Sequence, residues 1–442
     1  EPIRAFDFLG ITIQYEMCYT NILQVLDLSG IPLLAKERTE EDPIVIGGGP
    51  CTYNPEPVCD FFDLFYIGEG ETRYRELIDL YEDCRGRGLS RQDFLKKAAC
   101  IPGIYVPSLY EVSYHEDGTI KEIKPLEEGI PERILKEMVT EVSDTYYPDK
   151  PVVPFIKVTQ DRVVLEIMRG CIRGCRFCQA GQLYRPVRER DVEFLKKYAI
   201  AMLENTGHEE ISLSSLSSSD YQKLPELIDF LIEECSRRKV NISLPSLRID
   251  AFSLDVMNKV QDVKKSSLTF APEAGSQRLR NVINKGLTEE VILQGAKLAF
   301  EGGWTRVKLY FMLGIPFETE EDIQGIAELC NKIAAEFYDT VPKEKRNGRV
   351  QIVASTSFFI PKPFTPFQWA PQCRKEDFLN KAYLTRTAIM SQLNQKSIKY
   401  NWHEADASVM EGILARGDRK VNQVILRAYE KGCFYDAWGE YY

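Results

Sequence analysis

The 442 residues carry a formal net charge of −10, with 28% charged and 44% hydrophobic residues. That balance suits a globular chain of two or three domains and offers no overall basic footprint for nucleic acid. No apolar run approaches the ~20 residues that cross a bilayer, no secretory leader opens the chain, and twelve cysteines outside any small disulfide frame point to a reducing compartment, the cytoplasm.

The chain starts at Glu1 and enters an apolar strand over residues 8–13 almost at once, so residues missing upstream are expected. Residues 21–28 read as a helix closed by Gly30 and Pro32. Pro43-Ile-Val-Ile-Gly-Gly-Gly-Pro50 reads as a strand running into a glycine turn, and Leu64-Phe-Tyr-Ile-Gly-Glu-Gly-Glu71 repeats that plan before a helix over 72–84. Alternating strands and helices imply a partial doubly wound parallel sheet, with ligands at the carboxyl ends of its strands. The glycines serve equally well as tight turns or as ligand-contacting loops. Cys18, Cys51, Cys59, Cys84 and Cys100 lack cluster spacing and read as packing residues. Residues 1–105 form this domain, and 106–154 a connector. It carries a hairpin over 110–114 and 119–123 and ends in a proline-rich boundary at 146–154.

Val163–Met168 is apolar and β-branched, a buried strand. It leads into Arg169-Gly-Cys-Ile-Arg-Gly-Cys-Arg-Phe-Cys-Gln-Ala-Gly181, which places Cys171, Cys175 and Cys178 in a C-x3-C-x2-C spacing between glycines. Three thiolates on one loop can hold three irons of a 4Fe–4S cluster and leave the fourth open to a chelating small molecule. Structural zinc usually takes four ligands from paired knuckles, and no second Cys or His pair follows Cys178. Three cysteines in eight residues between glycines also make a poor core pattern. Arg169, Arg173 and Arg176 interleave the thiols and are expected to favour thiolate or, equally, to be solvated loop charges.

This strand and C-x3-C-x-Phe177-C loop resemble the radical S-adenosylmethionine (SAM) superfamily. The resemblance implies a 4Fe–4S cluster and SAM as cofactors, reductive cleavage to a 5′-deoxyadenosyl radical, and an electron donor such as flavodoxin or ferredoxin. The N-terminal segment resembles the second half of a cobalamin-binding domain, through Gln14-Tyr-Glu16, Tyr19-Thr-Asn21, Gly47–Pro50 and Gly68–Glu71. No D-x-H-x-x-G motif surrounds His115, His208 or His403, the three histidines. Cobalamin therefore either binds without an axial His here, or needs upstream residues, or does not bind. With Pro361-Lys-Pro-Phe-Thr-Pro-Phe-Gln-Trp369, most of the chain resembles a bacterial cobalamin-binding-type radical SAM family, which does not itself fix a substrate.

From 155 to 372 strands and helices alternate. Strands are expected over 163–168, 210–213, 241–244, 267–270, 306–312 and 350–355, and helices over 192–204, 224–238, 254–260, 289–300 and 320–337. Thr288 and Thr319 stand as N-caps, and residues 374–395 supply the sixth helix. The expected fold is a partial (β/α)6 TIM-type barrel with its chemistry at the strands' C-terminal ends. Residues 373–442 add that helix and an accessory segment, in which His403 beside Glu404 reads as structural rather than as a proton relay.

The superfamily resemblance carries over to residues past each strand. Ser214 and Ser215 match the site for the methionine amino group, although the usual Gly-Gly-Glu is absent. Arg248, beside Asp250, follows the third strand. Glu273 is expected to accept from ribose hydroxyls and Arg278 to fork onto the methionine carboxylate. Gly314 and Pro316 sit in the adenine-side motif. Each has a bland counterpart: a capping loop, a surface pair, a turn. Lys308 and Tyr310 should share one face of the fifth strand, where a lysine is costly unless paired or poised for chemistry. Arg162, Arg169, Arg173, Arg176, Arg185, Arg188 and Arg190 crowd the cluster region and keep an anionic substrate open. The aromatic stretch 358–369 reads as a wall of the barrel mouth or as loop packing. Three functions stand: cobalamin-dependent methyl transfer; methylthiolation of RNA or protein, against which no second cysteine triad appears; and a non-catalytic iron–sulfur protein.

Overall fold

Runs of β-branched and aromatic residues bounded by glycines set the strands, and the computed structural model, which describes residues 1–243, 268–346, 348–435 and 438, shows how they pair. β1 (Phe8–Thr12), β2 (Ile44–Gly48) and β3 (Leu64–Tyr66) run parallel in sequence order, and β4 (Ile104–Tyr105) closes the sheet antiparallel to β3. Val45, Leu64, Phe65 and Tyr66 are almost fully buried, as strands covered on both faces require. The antiparallel β4 departs from the all-parallel expectation. The described strands also keep sequence order, so they contain no reversal of the kind that makes a ligand crevice in doubly wound sheets. β5 (Tyr110–Tyr114) and β6 (Ile120–Pro125) form the expected hairpin.

The chain divides into two units, Glu1–Thr140 with Met410–Tyr442, and Glu141–Val409. The division after Thr140 lies upstream of the proline-rich stretch expected to be the boundary. The end of the chain, Met410–Tyr442, packs into the first unit. Arg419 donates to Glu56 at 2.6 Å and to the Tyr105 hydroxyl at 2.8 Å, Asn422 donates to the Glu56 carbonyl at 2.8 Å, and Trp438 Nε1 donates to the Met17 carbonyl at 2.8 Å.

The described residues of the second unit form two parallel sheets. One runs β11–β10–β7, from β7 (Val163–Glu166), β10 (Glu210–Ser214) and β11 (Asn241–Ser243); a short antiparallel pair, β8 (Met168–Arg169) with β9 (Arg188–Glu189), flanks the cysteine loop. The other runs β12 (Leu268–Glu273), β13 (Arg306–Leu313), β14 (Gln351–Phe358) and β15 (Ile398–Trp402), all parallel. β15 is a correction: the barrel region carries a seventh parallel strand where an accessory tail was expected. The sixth helix is Lys375–Met390, shorter than expected. Val307, Leu309 and Phe311 of β13 and Ile352 and Ala354 of β14 are buried against the helices Glu289–Glu301 and Glu320–Thr340. That core fixes the outer face of the sheet and leaves the alternate residues on the inner one. The expected end of the third strand, the following helix and Arg248 lie outside the described residues. Among the described residues no helix is long and apolar enough to cross a membrane.

Candidate cluster and cofactor site

The cysteine loop leaves the sheet at Gly170, whose φ of +83° and close approach to the carbonyls of Tyr184 and Pro186, 2.7 Å from where a Cβ would stand, admit no side chain. Cys171 and Cys178 are half-buried and Cys175 buried. The Cys178 N–H donates to the Cys175 carbonyl at 3.2 Å, and the Gly181 N–H donates to the Cys178 sulfur at 3.3 Å. Burial pushes the Cys178 thiol up, with Cys171 and Glu273 adding to the rise; the Gly181 N–H and the Lys285 cation oppose it.

The loop is stapled to the segment after the helix Gln277–Val282. Arg176 N donates to the Ile283 carbonyl at 2.9 Å, its guanidinium to the Val282 carbonyl at 2.6 Å, and Asn284 Nδ2 to the Gly174 carbonyl at 2.9 Å. On another side the aromatic stretch closes in: Phe367 N donates to the Arg176 carbonyl at 3.3 Å, and Gln179 to the Pro363 carbonyl at 3.3 Å. Phe177 joins an apolar bed of Ala274, Leu279, Ile283, Met312, Ile315 and Phe359.

Glu273 ends β12 after a register shift, with φ at +69°, a strained value for a non-glycine residue. Its carboxylate accepts from Lys285 at 3.0 Å with both side chains largely buried, and Lys285 lies 5.9 Å from the Phe177 ring centre. Burial raises the Glu273 carboxyl and Lys285 pulls it back. Cys178, Phe177, Lys285 and Glu273 therefore meet at one strand end. Lysine 285 escaped the sequence reading, although Asn284-Lys285-Gly286 is a turn signal that brings the chain back past Glu273.

The other expected residues have partners of their own. Arg278 pairs with Asp322 and donates to the Phe317 carbonyl at 2.7 Å, its side chain half exposed. Asp322, also missed, accepts from Thr319 N at 2.8 Å and from the Ser276 hydroxyl, and so anchors the start of the Glu320–Thr340 helix. Arg280, nearby and fully buried, donates to the carbonyls of Ala274 and Gly275 at 3.0 and 2.8 Å and fixes the strand-end loop. Ser214 O accepts from Ile167 N at 3.0 Å, and the Ser215 hydroxyl bonds Ser218 at 3.0 Å. Gly314 N donates to Glu318 at 2.9 Å, and the place of a Cβ on Gly314 is crowded by Phe378 at 2.8 Å. Pro316 is half-buried in the turn that follows.

The arginines that crowd the cluster region have partners of their own too. Arg169 and Arg190 share Glu166, at 2.9 and 2.6 Å, Arg173 holds Asp220, and Arg162 holds Glu210. Arg185 and Arg188 donate to backbone carbonyls. Among the described residues no three His, Cys, Asp or Glu side chains converge on one ion. A 4Fe–4S cluster asks something else, one thiolate per iron with N–H donors to sulfur nearby, and the loop with its Gly181 donor fits that demand.

Two family descriptions match the sequence: radical SAM proteins, N-terminal, over residues 1–107, and the radical SAM superfamily over residues 165–330. An uncharacterized protein of Methanocaldococcus jannaschii is 31% identical over 428 residues, which cover 96% of this chain and 81% of that one. The chain belongs to the radical SAM superfamily. Within it, an uncharacterized methyltransferase of Pyrococcus horikoshii is 23% identical over 76% of this chain and 66% of its own length. A cobalamin-dependent S-adenosylmethionine radical enzyme, OxsB, solved with aqua-cobalamin and S-adenosylmethionine bound, shares the fold at a TM-score of 0.54 and 15% identity, over 97% of this chain and 53% of that one. This radical SAM chain is thus an enzyme of a superfamily that uses a 4Fe–4S cluster, SAM and a reductant.

That shared fold brings cobalamin into question, and the glycines of the first unit test its fit. Gly47 is packed by the Phe65 ring, Gly68 by the Glu137 backbone and Gly70 by the Tyr74 ring, and a Cβ on Gly49 would stand 2.9 Å from the Ile13 carbonyl. Gly48 alone of this group opens on space, with only the Tyr74 hydroxyl 3.9 Å away. Apart from Gly48, these turns are packed by their own chain.

Proposed function

We propose that this chain cleaves SAM reductively at a site-differentiated 4Fe–4S cluster held by Cys171, Cys175 and Cys178. The meeting of Cys178, Phe177, Lys285 and Glu273 at the end of β12 carries the reading. When bound there, the reduced cluster supplies the electron that splits the sulfonium into methionine and a 5′-deoxyadenosyl radical. Glu273, held by Lys285, accepts from the ribose hydroxyls. Met312, Ile315 and Phe359 give the adenine an apolar bed beside Gly314 and Pro316. Ser214 and Ser215, at the end of β10, take the methionine amino group. The methionine carboxylate falls to Arg248 or to Arg278, the latter only by sharing its guanidinium with Asp322. A flavodoxin- or ferredoxin-type protein delivers the electron.

The test is anaerobic turnover of the cluster-loaded chain with a strong reductant. It should yield 5′-deoxyadenosine by chromatography, and Glu273→Ala should weaken SAM about ten-fold with iron content unchanged, the loss of one charge-assisted hydrogen bond. No 5′-deoxyadenosine from loaded protein would favour the non-catalytic reading. Methyl transfer is the second reading, favoured by the P. horikoshii relative, although most of the glycine turns of the first unit are packed by their own chain.

A further inference from the structure

We infer that the inner face of the β12–β15 sheet recognises an anionic group of the substrate, a carboxylate or a phosphate, through Lys308 and Tyr310. The inference rests on the reading above only in placing the substrate beneath the SAM site. Val307, Leu309 and Phe311 point into the helix-covered core, so Lys308 and Tyr310 occupy the opposite face of β13. On β15, Ile398, Tyr400 and Trp402 pack against the same core, which puts Lys399 and Asn401 on that inner face too. Strand register aligns these residues in two rows. Lys308 lies level with Thr269 on one side and with Val353 and then Lys399 on the other, and Tyr310 lies level with Ser355 and then Asn401. The face is therefore lined by two ammonium groups and several neutral hydrogen-bonding side chains.

Lys308 Nζ donates to the Tyr310 hydroxyl at 2.6 Å and lies 4.5 Å from that ring's centre. Among the described residues neither Lys308 nor Lys399 has a carboxylate within ion-pair distance. The described arginines around the cysteine loop are engaged with Glu166, Glu210, Asp220 or backbone carbonyls, and Lys285 and Lys381 hold Glu273 and Glu318. A half-buried ammonium that has only a phenol for company retains donors for an incoming anion, and the Tyr310 hydroxyl can donate to the same anion.

The position suits a substrate. Glu273 is level with Phe311, so Lys308 starts three residues lower, about 10 Å at strand rise, and Tyr310 one residue lower. A small polar molecule anchored there by its anionic end would present its other end toward the strand termini.

Isothermal titration of the cluster-loaded chain with succinate and with pyrophosphate, at matched ionic strength, tests this. One or both should bind saturably to the wild type. Lys308→Met should weaken that binding at least ten-fold, and Lys308→Arg should keep it within about three-fold of the wild type. Succinate alone would assign a carboxylate, pyrophosphate alone a phosphate, and both together the shared anion chemistry. If Lys308→Met fails to fold, Tyr310→Phe removes only the hydroxyl and should weaken binding several-fold. No saturable binding of either probe, or wild-type affinity in Lys308→Met, overturns the site. The two readings fail separately: 5′-deoxyadenosine without anion binding sinks this inference, while anion binding without 5′-deoxyadenosine sinks the proposed function.

Discussion

Gly47–Gly49 in the first unit lie at the end of a buried parallel strand and Gly170–Gly181 in the second lie just past one, and in sequence they look like loops of one kind. In the first, Gly49 takes φ +93° and ψ −179° because the chain turns against the Ile13 carbonyl, and Phe65 fills the space beside Gly47. In the second, Gly170 frees the backbone in the same way, but the loop it releases carries three thiols and is tied to two other segments of its unit. Glycine reports a demand on the backbone in both places. Only the side chains between the glycines tell whether that demand serves packing or a ligand.

The contrast can be broken by substitution. The largest effect on folding should come from the polar pair beside the cysteines. Lys285→Met leaves the Glu273 carboxylate buried without its cation, at a cost of about 3 kcal/mol near pH 7. The sign with pH follows from the raised Glu273 carboxyl. A raised native value adds stability that is complete below the unfolded value, the ordinary carboxyl value of 4.5, and is lost as pH climbs through the native one. Removing the cation raises the native value further, so the gap between wild type and variant should widen above pH 4.5 and close below it. Denaturant midpoints of the iron-free proteins measured across that range check this, and a gap that does not change with pH would mean that the pair is not coupled.

A smaller effect separates the glycines of the first unit. Gly49→Ala should cost about 2 kcal/mol, because its backbone region is nearly closed to other residues. Gly48→Ala should stay within about 0.5 kcal/mol, because it meets only a hydroxyl at 3.9 Å. Thermal unfolding of the two variants decides. Equal losses would remove the claim that Gly49 is held by its own chain while Gly48 faces open space.

Much of the second unit was legible because its signals are local. The apolar strand before Cys171, the cysteine spacing, the N-caps at Thr288 and Thr319 and the shared face of Lys308 and Tyr310 are all written within a few residues. β15 is legible too, since Ile398-Lys-Tyr-Asn-Trp402 alternates as a half-buried strand should, but it lies beyond the six units that a partial barrel needs. What could not be read was pairing across distance. Nothing near Arg278 announces Asp322, and nothing near Glu273 announces Lys285. The arginines around the cysteines looked free because their partners, Glu166, Asp220 and Glu210, are chosen by the fold. The short antiparallel β4 had too few residues to give a period.

The central claim is that the cysteine loop, unlike the glycine turns, holds a cofactor. Iron and sulfide analysis after anaerobic reconstitution tests it directly. The wild-type chain should take up about four iron and four sulfide, as a single 4Fe–4S cluster requires, and replacing Cys171, Cys175 and Cys178 together by Ala should abolish that uptake. A triple variant that still carries the cluster, or a wild-type chain that takes up zinc alone, would contradict the account.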